Sequence, residues 1–171
     1  LDHRYMANSL SLAEDRFIPL HRELVARIHR HGAKIQPQIT HPGPESLAPF
    51  FERKPGFGPS VCVNPAGMQS CRPLELAEIP GVIAQYAAAA VRAKEAGYDG
   101  IELHAAHAYM LLGSFLSPLR NARRDEYGGK TLETRARLLL ETLEAVRAAV
   151  GPQFPITVSL SGYERFPGGR A

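Results

Sequence analysis

The sequence of 171 residues has two cysteines, Cys62 and Cys71, too few for a disulfide framework or for a zinc or iron–sulfur site made of thiols alone. One disulfide between them is open to the chain, and free thiols in a reducing cytoplasm are the simpler reading. No apolar run approaches the roughly 20 residues of a spanning helix, and nothing resembles a signal peptide. A cytoplasmic protein with no membrane partner is therefore expected. Charge of one sign is also scarce: 20 Lys and Arg stand against 17 Asp and Glu, giving +3, with the two signs interspersed. Such a balance offers no patch for nucleic acid or an anionic bilayer. The ends lack a natural finish, with Leu1 in place of Met and a loop-like Gly168-Gly169-Arg170-Ala171, so an internal fragment is expected. What remains is 44% hydrophobic and 22% charged, which suits one domain with a sizeable core.

Apolar spacing predicts a helix over 13–31, with Phe17, Leu20, Leu24 and Ile28 on one face and Gly32 as its stop. A short strand over 33–39 follows, although Pro37 removes a ladder donor. From 40 to 72 the chain is rich in Pro and Gly and has no period, a long excursion of the kind that is functional or mobile. A helix over 76–96 carries Ile79, Ile83, Tyr86 and Ala90, and Gly97 ends it. A strand over 100–104 comes next. The last helix covers 131–150, with Leu132, Ala136, Leu139, Leu143 and Val146 in a row, and a strand over 155–161 closes the series. Alternating helices and strands imply parallel strands with right-handed crossovers. Two architectures compete, an open doubly wound sheet and a closed (β/α)8 barrel, and the lack of a G-x-G-x-x-G turn after any strand counts against a dinucleotide-binding open sheet. In either fold the carboxyl ends of the strands carry function. Those ends hold Gln38 with His41, His104 with His107 and Tyr109, and Ser159 with Ser161.

Two neutral imidazoles beyond a strand end can donate to one carbonyl or nitro oxygen and stabilise enolate-like charge. A nearby phenol can supply a proton as general acid. Spacing alone leaves other readings open. His104 and His107 could be packed loop residues, or a metal pair, although no third carboxylate or imidazole ligand lies nearby in the sequence.

The run 96–109, ending His104-Ala105-Ala106-His107-Ala108-Tyr109, resembles the Old Yellow Enzyme family of NADH:flavin oxidoreductases. So do Phe115-Leu116-Ser117-Pro118 and Asn121-Ala122-Arg123-Arg124-Asp125-Glu126-Tyr127-Gly128-Gly129, followed by a helix containing Arg135 and Arg137. That broad family includes 2,4-dienoyl-CoA reductases and enoate-reductase-like enzymes. The resemblance implies that 1–171 is part of an FMN-binding (β/α)8 TIM barrel, an α/β fold, covering roughly strands three to five. It implies FMN as cofactor and NAD(P)H as reductant, with FAD and an iron–sulfur cluster in further domains of one branch. The substrate would be a small unsaturated carbonyl or thioester, and a homo-oligomer is compatible with the family. His104 and His107 would grip the substrate oxygen, Tyr109 would donate the proton, and Gln38 would contact the flavin pyrimidine ring.

Three positions depart from the family pattern. Pro44 stands where the segment Gln38-Ile39-Thr40-His41-Pro42-Gly43-Pro44 would close on Arg, and Ala108 replaces the usual Gly. Val158-Ser159-Leu160-Ser161 has Ser159 at the usual Arg, which can hydrogen-bond to a flavin but cannot give it positive charge. A lower flavin potential or weaker flavin binding is expected. A degenerate barrel piece serving packing or assembly is the rival reading. The isolated section is expected to be inactive, with open strand edges that favour association.

Overall fold

A computed structural model describes residues 10–47, 55–63 and 70–163. A 3-10 turn, Asp15–Phe17, leads into α1 (Ile18–His29), which has a proline in its first turn. Its buried row is Ile18, His21 and Val25, while Leu20 is 65% exposed. The predicted stripe of Phe17, Leu20, Leu24 and Ile28 is thus rotated, because the row that faces the core includes a histidine. His21 is satisfied there by the Tyr98 hydroxyl at 2.7 Å and the Ser11 carbonyl at 2.8 Å, so its burial leaves no polar atom stranded.

The first strand, β1, is only Gln38–Ile39. Pro37 can donate no ladder bond but accepts one, from the Glu102 amide at 3.0 Å, so the strand begins just after it. The excursion that follows is not structureless among its described residues. It holds a 3-10 turn (Gly43–Glu45) and three short strands, β2 (Phe57–Gly58), β3 (Cys62–Val63) and β4 (Ser70–Pro73). β4 is central, parallel to β2 and antiparallel to β3. Segments this short carry no readable period, which is why the sequence shows none. Cys71 is buried, with its thiol donating to the Ser60 carbonyl at 3.4 Å.

A turn at Leu76–Glu78, with a capping box between Glu75 and Glu78, starts α2 (Ile79–Ala96). Gly97 ends it at φ 91°, a backbone conformation that glycine adopts without strain. β5 (Ile101–Ala105) follows, then α3 (Leu111–Leu116), a short helix that the sequence did not predict. Thr131 caps α4 (Leu132–Val150), and β6 (Ile156–Leu160) completes the described chain. On α4 the buried row is Leu138, Leu139, Thr142, Val146 and Val150, with Leu132 62% exposed. Thr142 reaches this row by donating its hydroxyl to the Leu138 carbonyl at 2.7 Å. No helix among the described residues is long and apolar enough to cross a membrane.

β1, β5 and β6 form a parallel sheet in that order. Successive side chains alternate between its faces. Ile39, Ile101, Leu103 and Ala105 face the helices and are at most 7% exposed. Gln38, Glu102, His104, Thr157 and Ser159 occupy the other face. The register sets Gln38 beside Glu102 and Thr157 beside Glu102 from the opposite side, then His104 beside Ser159 one layer further along.

Candidate functional site

The polar face ends in a loop whose geometry is unusual. His107 and Ala108 both have positive φ, 68° and 52°, which side chains other than glycine rarely adopt. This double turn folds the chain back over the strand it has just left. It brings three rings together: His104 and His107 at 5.7 Å between centroids, His104 and Tyr109 at 5.6 Å edge-on, and His107 and Tyr109 at 5.9 Å. The loop is held from the neighbouring strand, because the His107 amide donates to the Ser161 hydroxyl at 2.5 Å. Ala108 is buried at this turn, where the usual glycine would be unstrained.

His104 is 5% exposed. Its Nδ1 lies 3.2 Å from the Ser159 hydroxyl, while its buried Nε2 has no hydrogen-bond partner. Burial first, and then the neighbouring His107, hold its pKa below the ordinary histidine value, so the ring is neutral near pH 7. His107, in contrast, is exposed. The site therefore offers one fixed neutral imidazole and one accessible imidazole against a half-buried phenol.

Gln38 lies one layer below, and its amide nitrogen donates to Glu102 at 2.6 Å. A carboxylate only accepts, so the amide oxygen is turned away from Glu102 and is left as an acceptor. Glu102 was missed in the sequence, although its place two residues before His104 puts it on the same face. Ser159 stands against His104 and its hydroxyl is 3.5 Å from the Leu103 carbonyl. His41 does not join this group. Its Nδ1 accepts from the Gly43 amide at 3.0 Å and its ring packs on Phe57 at 4.8 Å, so it shapes the start of the excursion. Pro44 is buried in that turn. Gly43 is required there: its φ is 55°, and a Cβ would meet the Leu111 backbone at 2.8 Å.

The segment 121–129 is a clamp behind the loop, a role that residue spacing alone does not reveal. Asn121 donates its side-chain amide to the Phe115 and Tyr127 carbonyls, both at 2.8 Å. Arg123 grips Asp125 with two nitrogens, at 3.0 and 2.6 Å, and donates to the Leu74 carbonyl at 2.6 Å and the Pro59 carbonyl at 3.3 Å. Arg135 donates to the Leu116 carbonyl at 2.8 Å and the Gly129 carbonyl at 3.0 Å. Together these bonds fix both the excursion and the end of α3, whose other end starts two residues after Tyr109. A Cβ on Gly129 would overlap the Asn121 carbonyl oxygen, so the last glycine is a packing requirement. Tyr127 donates to Glu141 at 2.7 Å, and burial raises its pKa to about 12. Among the described residues no cluster of three or more His, Cys, Asp or Glu could hold a metal.

Comparison with known proteins adds the context. The sequence profile of the NADH:flavin oxidoreductase / NADH oxidase family matches residues 2–170. An N,N-dimethylglycine/sarcosine dehydrogenase of Chromohalobacter salexigens is 41% identical over 162 residues, which is 95% of this chain and 23% of that protein. An NADH oxidase of Thermoanaerobacter brockii is 40% identical over 166 residues, 96% of this chain and 25% of that protein. The chain thus spans about a quarter of the length of these relatives. The structure of a 2-naphthoyl-CoA reductase in complex with 2-naphthoyl-CoA superposes with a TM-score of 0.86 at 29% identity, over 94% of this chain and 26% of that one. Structural neighbours of this kind are TIM-barrel flavoenzymes, so the parallel sheet and its helices are a section of such a barrel.

Proposed function

Because the chain belongs to the NADH:flavin oxidoreductase / NADH oxidase family, we propose that the complete protein reduces the activated C=C bond of an unsaturated carbonyl or thioester with NAD(P)H. The single observation that carries this reading is the convergence of the His104, His107 and Tyr109 rings, with the buried Nε2 of His104 unpartnered. FMN would be held by Gln38, whose free amide oxygen suits the N–H on the pyrimidine edge of an isoalloxazine. Bound FMN supplies the hydride that NAD(P)H delivers, and the net change is C=C + NAD(P)H + H⁺ → CH–CH + NAD(P)⁺.

The chain's own residues supply polarisation, orientation and the proton. His104 and His107 hold the carbonyl oxygen and spread the negative charge that develops on it. The neutral ring of His104 suits that task, because it stabilises the charge without protonating the ground state. Tyr109 donates its phenolic proton to the carbon next to the carbonyl. The burial of His104 keeps water from its Nε2, the atom that would meet the oxygen.

A second reading, oxidation of an N-methylated amino acid, is favoured by the name of the relative from C. salexigens. One experiment separates them. The complete gene product, reconstituted with FMN, is expected to consume NAD(P)H with an unsaturated ketone or thioester, and Tyr109→Phe to slow this by about 10²-fold or more. Dye reduction driven by sarcosine, with no alkene turnover, would establish the second reading. A protein that stays colourless with added FMN would leave only a non-catalytic barrel.

A further inference from the structure

The structure places Ser159 against His104, where the family pattern expected a residue facing the flavin. A neutral imidazole carries one proton, so the group at Nδ1 decides whether Nε2 donates or accepts. A backbone carbonyl at Nδ1 could only accept and would force the ring proton onto Nδ1. A hydroxyl can donate. Two acceptors compete for the Ser159 proton, His104 Nδ1 at 3.2 Å and the Leu103 carbonyl at 3.5 Å. The carbonyl contact is at the outer limit for a hydroxyl bond, whose usual length is about 2.7 to 2.8 Å, so the imidazole is the better partner. The ring proton then sits on Nε2, the buried atom that has no partner.

We infer that Ser159 is a positioning residue that fixes His104 as an Nε2–H donor and thereby selects ligands presenting an acceptor oxygen. A carbonyl, thioester or nitro oxygen meets that N–H, whereas an ammonium group would set donor against donor. The inference rests on the reductase reading and sharpens its substrate class. It also assigns Ser159 to the substrate side of the site.

The test uses the complete, FMN-loaded protein with ¹⁵N-labelled histidine, observed by long-range proton–nitrogen correlation at pH 7. His104→Gln identifies the His104 signals. Wild type is expected to show a protonated Nε2 and an unprotonated Nδ1. Ser159→Ala should introduce the Nδ1–H form and weaken binding of cyclohexanone, a saturated acceptor, about tenfold. Ser159→Thr, which keeps the hydroxyl, should restore both. Dimethylammonium should bind wild type more weakly than cyclohexanone. An Nδ1–H tautomer in wild type would overturn the inference, and so would a Ser159→Ala protein unchanged in both tautomer and cyclohexanone affinity. Failure of alkene turnover alongside the expected tautomer would refute the reductase reading and support the role of Ser159.

Discussion

The two faces of the parallel sheet come from the same short strands, alternate residue by residue, and do opposite things. On the helix side, Ile101 and Leu103 are fully buried and Ile39 and Ala105 nearly so. Each of the three larger side chains, Ile39, Ile101 and Leu103, stabilises the fold by about 1.5 to 3 kcal/mol of burial. On the other side, Gln38 with Glu102 and His104 with Ser159 form rungs of hydrogen bonds. Bonds of this kind contribute only about 1 kcal/mol each net of water, so that face adds little to stability. What it adds is direction: the Gln38 amide nitrogen and His104 Nδ1 are committed to neighbours, while the buried Nε2 of His104 is left over. One face is thus selected for packing and the other for where its donors and acceptors point.

The contrast can be broken at several points. Leu103→Ala should cost about 2 to 5 kcal/mol in denaturant unfolding of the complete protein, from lost burial and the cavity left behind. If it costs under about 1 kcal/mol, the helix-side face is not the core. His104→Ala, its neighbour on the strand, should lower alkene turnover by about 10²-fold while the unfolding midpoint moves far less than for Leu103→Ala. A variant equally damaged in both would erase the distinction between the faces. Thr157→Val removes a hydroxyl that donates to the Ile101 carbonyl and accepts from Gln36. It should shift stability by about 1 kcal/mol or less and leave turnover unchanged, since Thr157 lies a layer below His104.

A further test lies at the foot of the sheet, away from either face. Asp99 accepts from Lys34 and His29 at 2.8 Å each and from the Ile35 amide at 2.9 Å, which holds its carboxyl well below the usual range. A depressed folded-state pKa means that its contribution is present above the unfolded value, about pH 3.9, and is lost as pH falls through the folded value. Thermal melts of wild type and Asp99→Asn should therefore differ at pH 6, and the gap should start to narrow below about pH 4, closing only as the pH passes the depressed folded value. A gap that persisted unchanged at pH 3 would show that the carboxylate charge is not what holds β1 to the start of β5.

Element types were legible in the sequence wherever a period ran long enough. The 3.6-residue rows of α2 and α4 and the glycine at 97 marked helices that the structure contains, and the alternation of helix and strand marked a parallel sheet. The precise faces were less legible. Row assignments that counted only apolar residues passed over His21 and Thr142, polar residues that are buried because a hydroxyl, a carbonyl or a helix turn satisfies them. The two-residue strands of the excursion were invisible because two residues have no period. The trio His104, His107 and Tyr109 could be named from a motif at a strand end. Its convergence could not, since it depends on left-handed turns at His107 and Ala108 that sequence patterns do not encode. Glu102 and the clamp of Arg123 were hidden for a related reason: their roles exist only through partners 64 and 49 residues away.

The bond from the His107 amide to Ser161 has a consequence for anyone who would move this chemistry elsewhere. The motif that looks portable, His104 to Tyr109, is sprung into a left-handed arch whose tie is fastened on a different strand. A graft of those six residues onto another scaffold would relax, and the rings would separate. The smallest transferable unit is therefore the adjacent strand pair, with Ser159 and Ser161 carried along as part of the cassette.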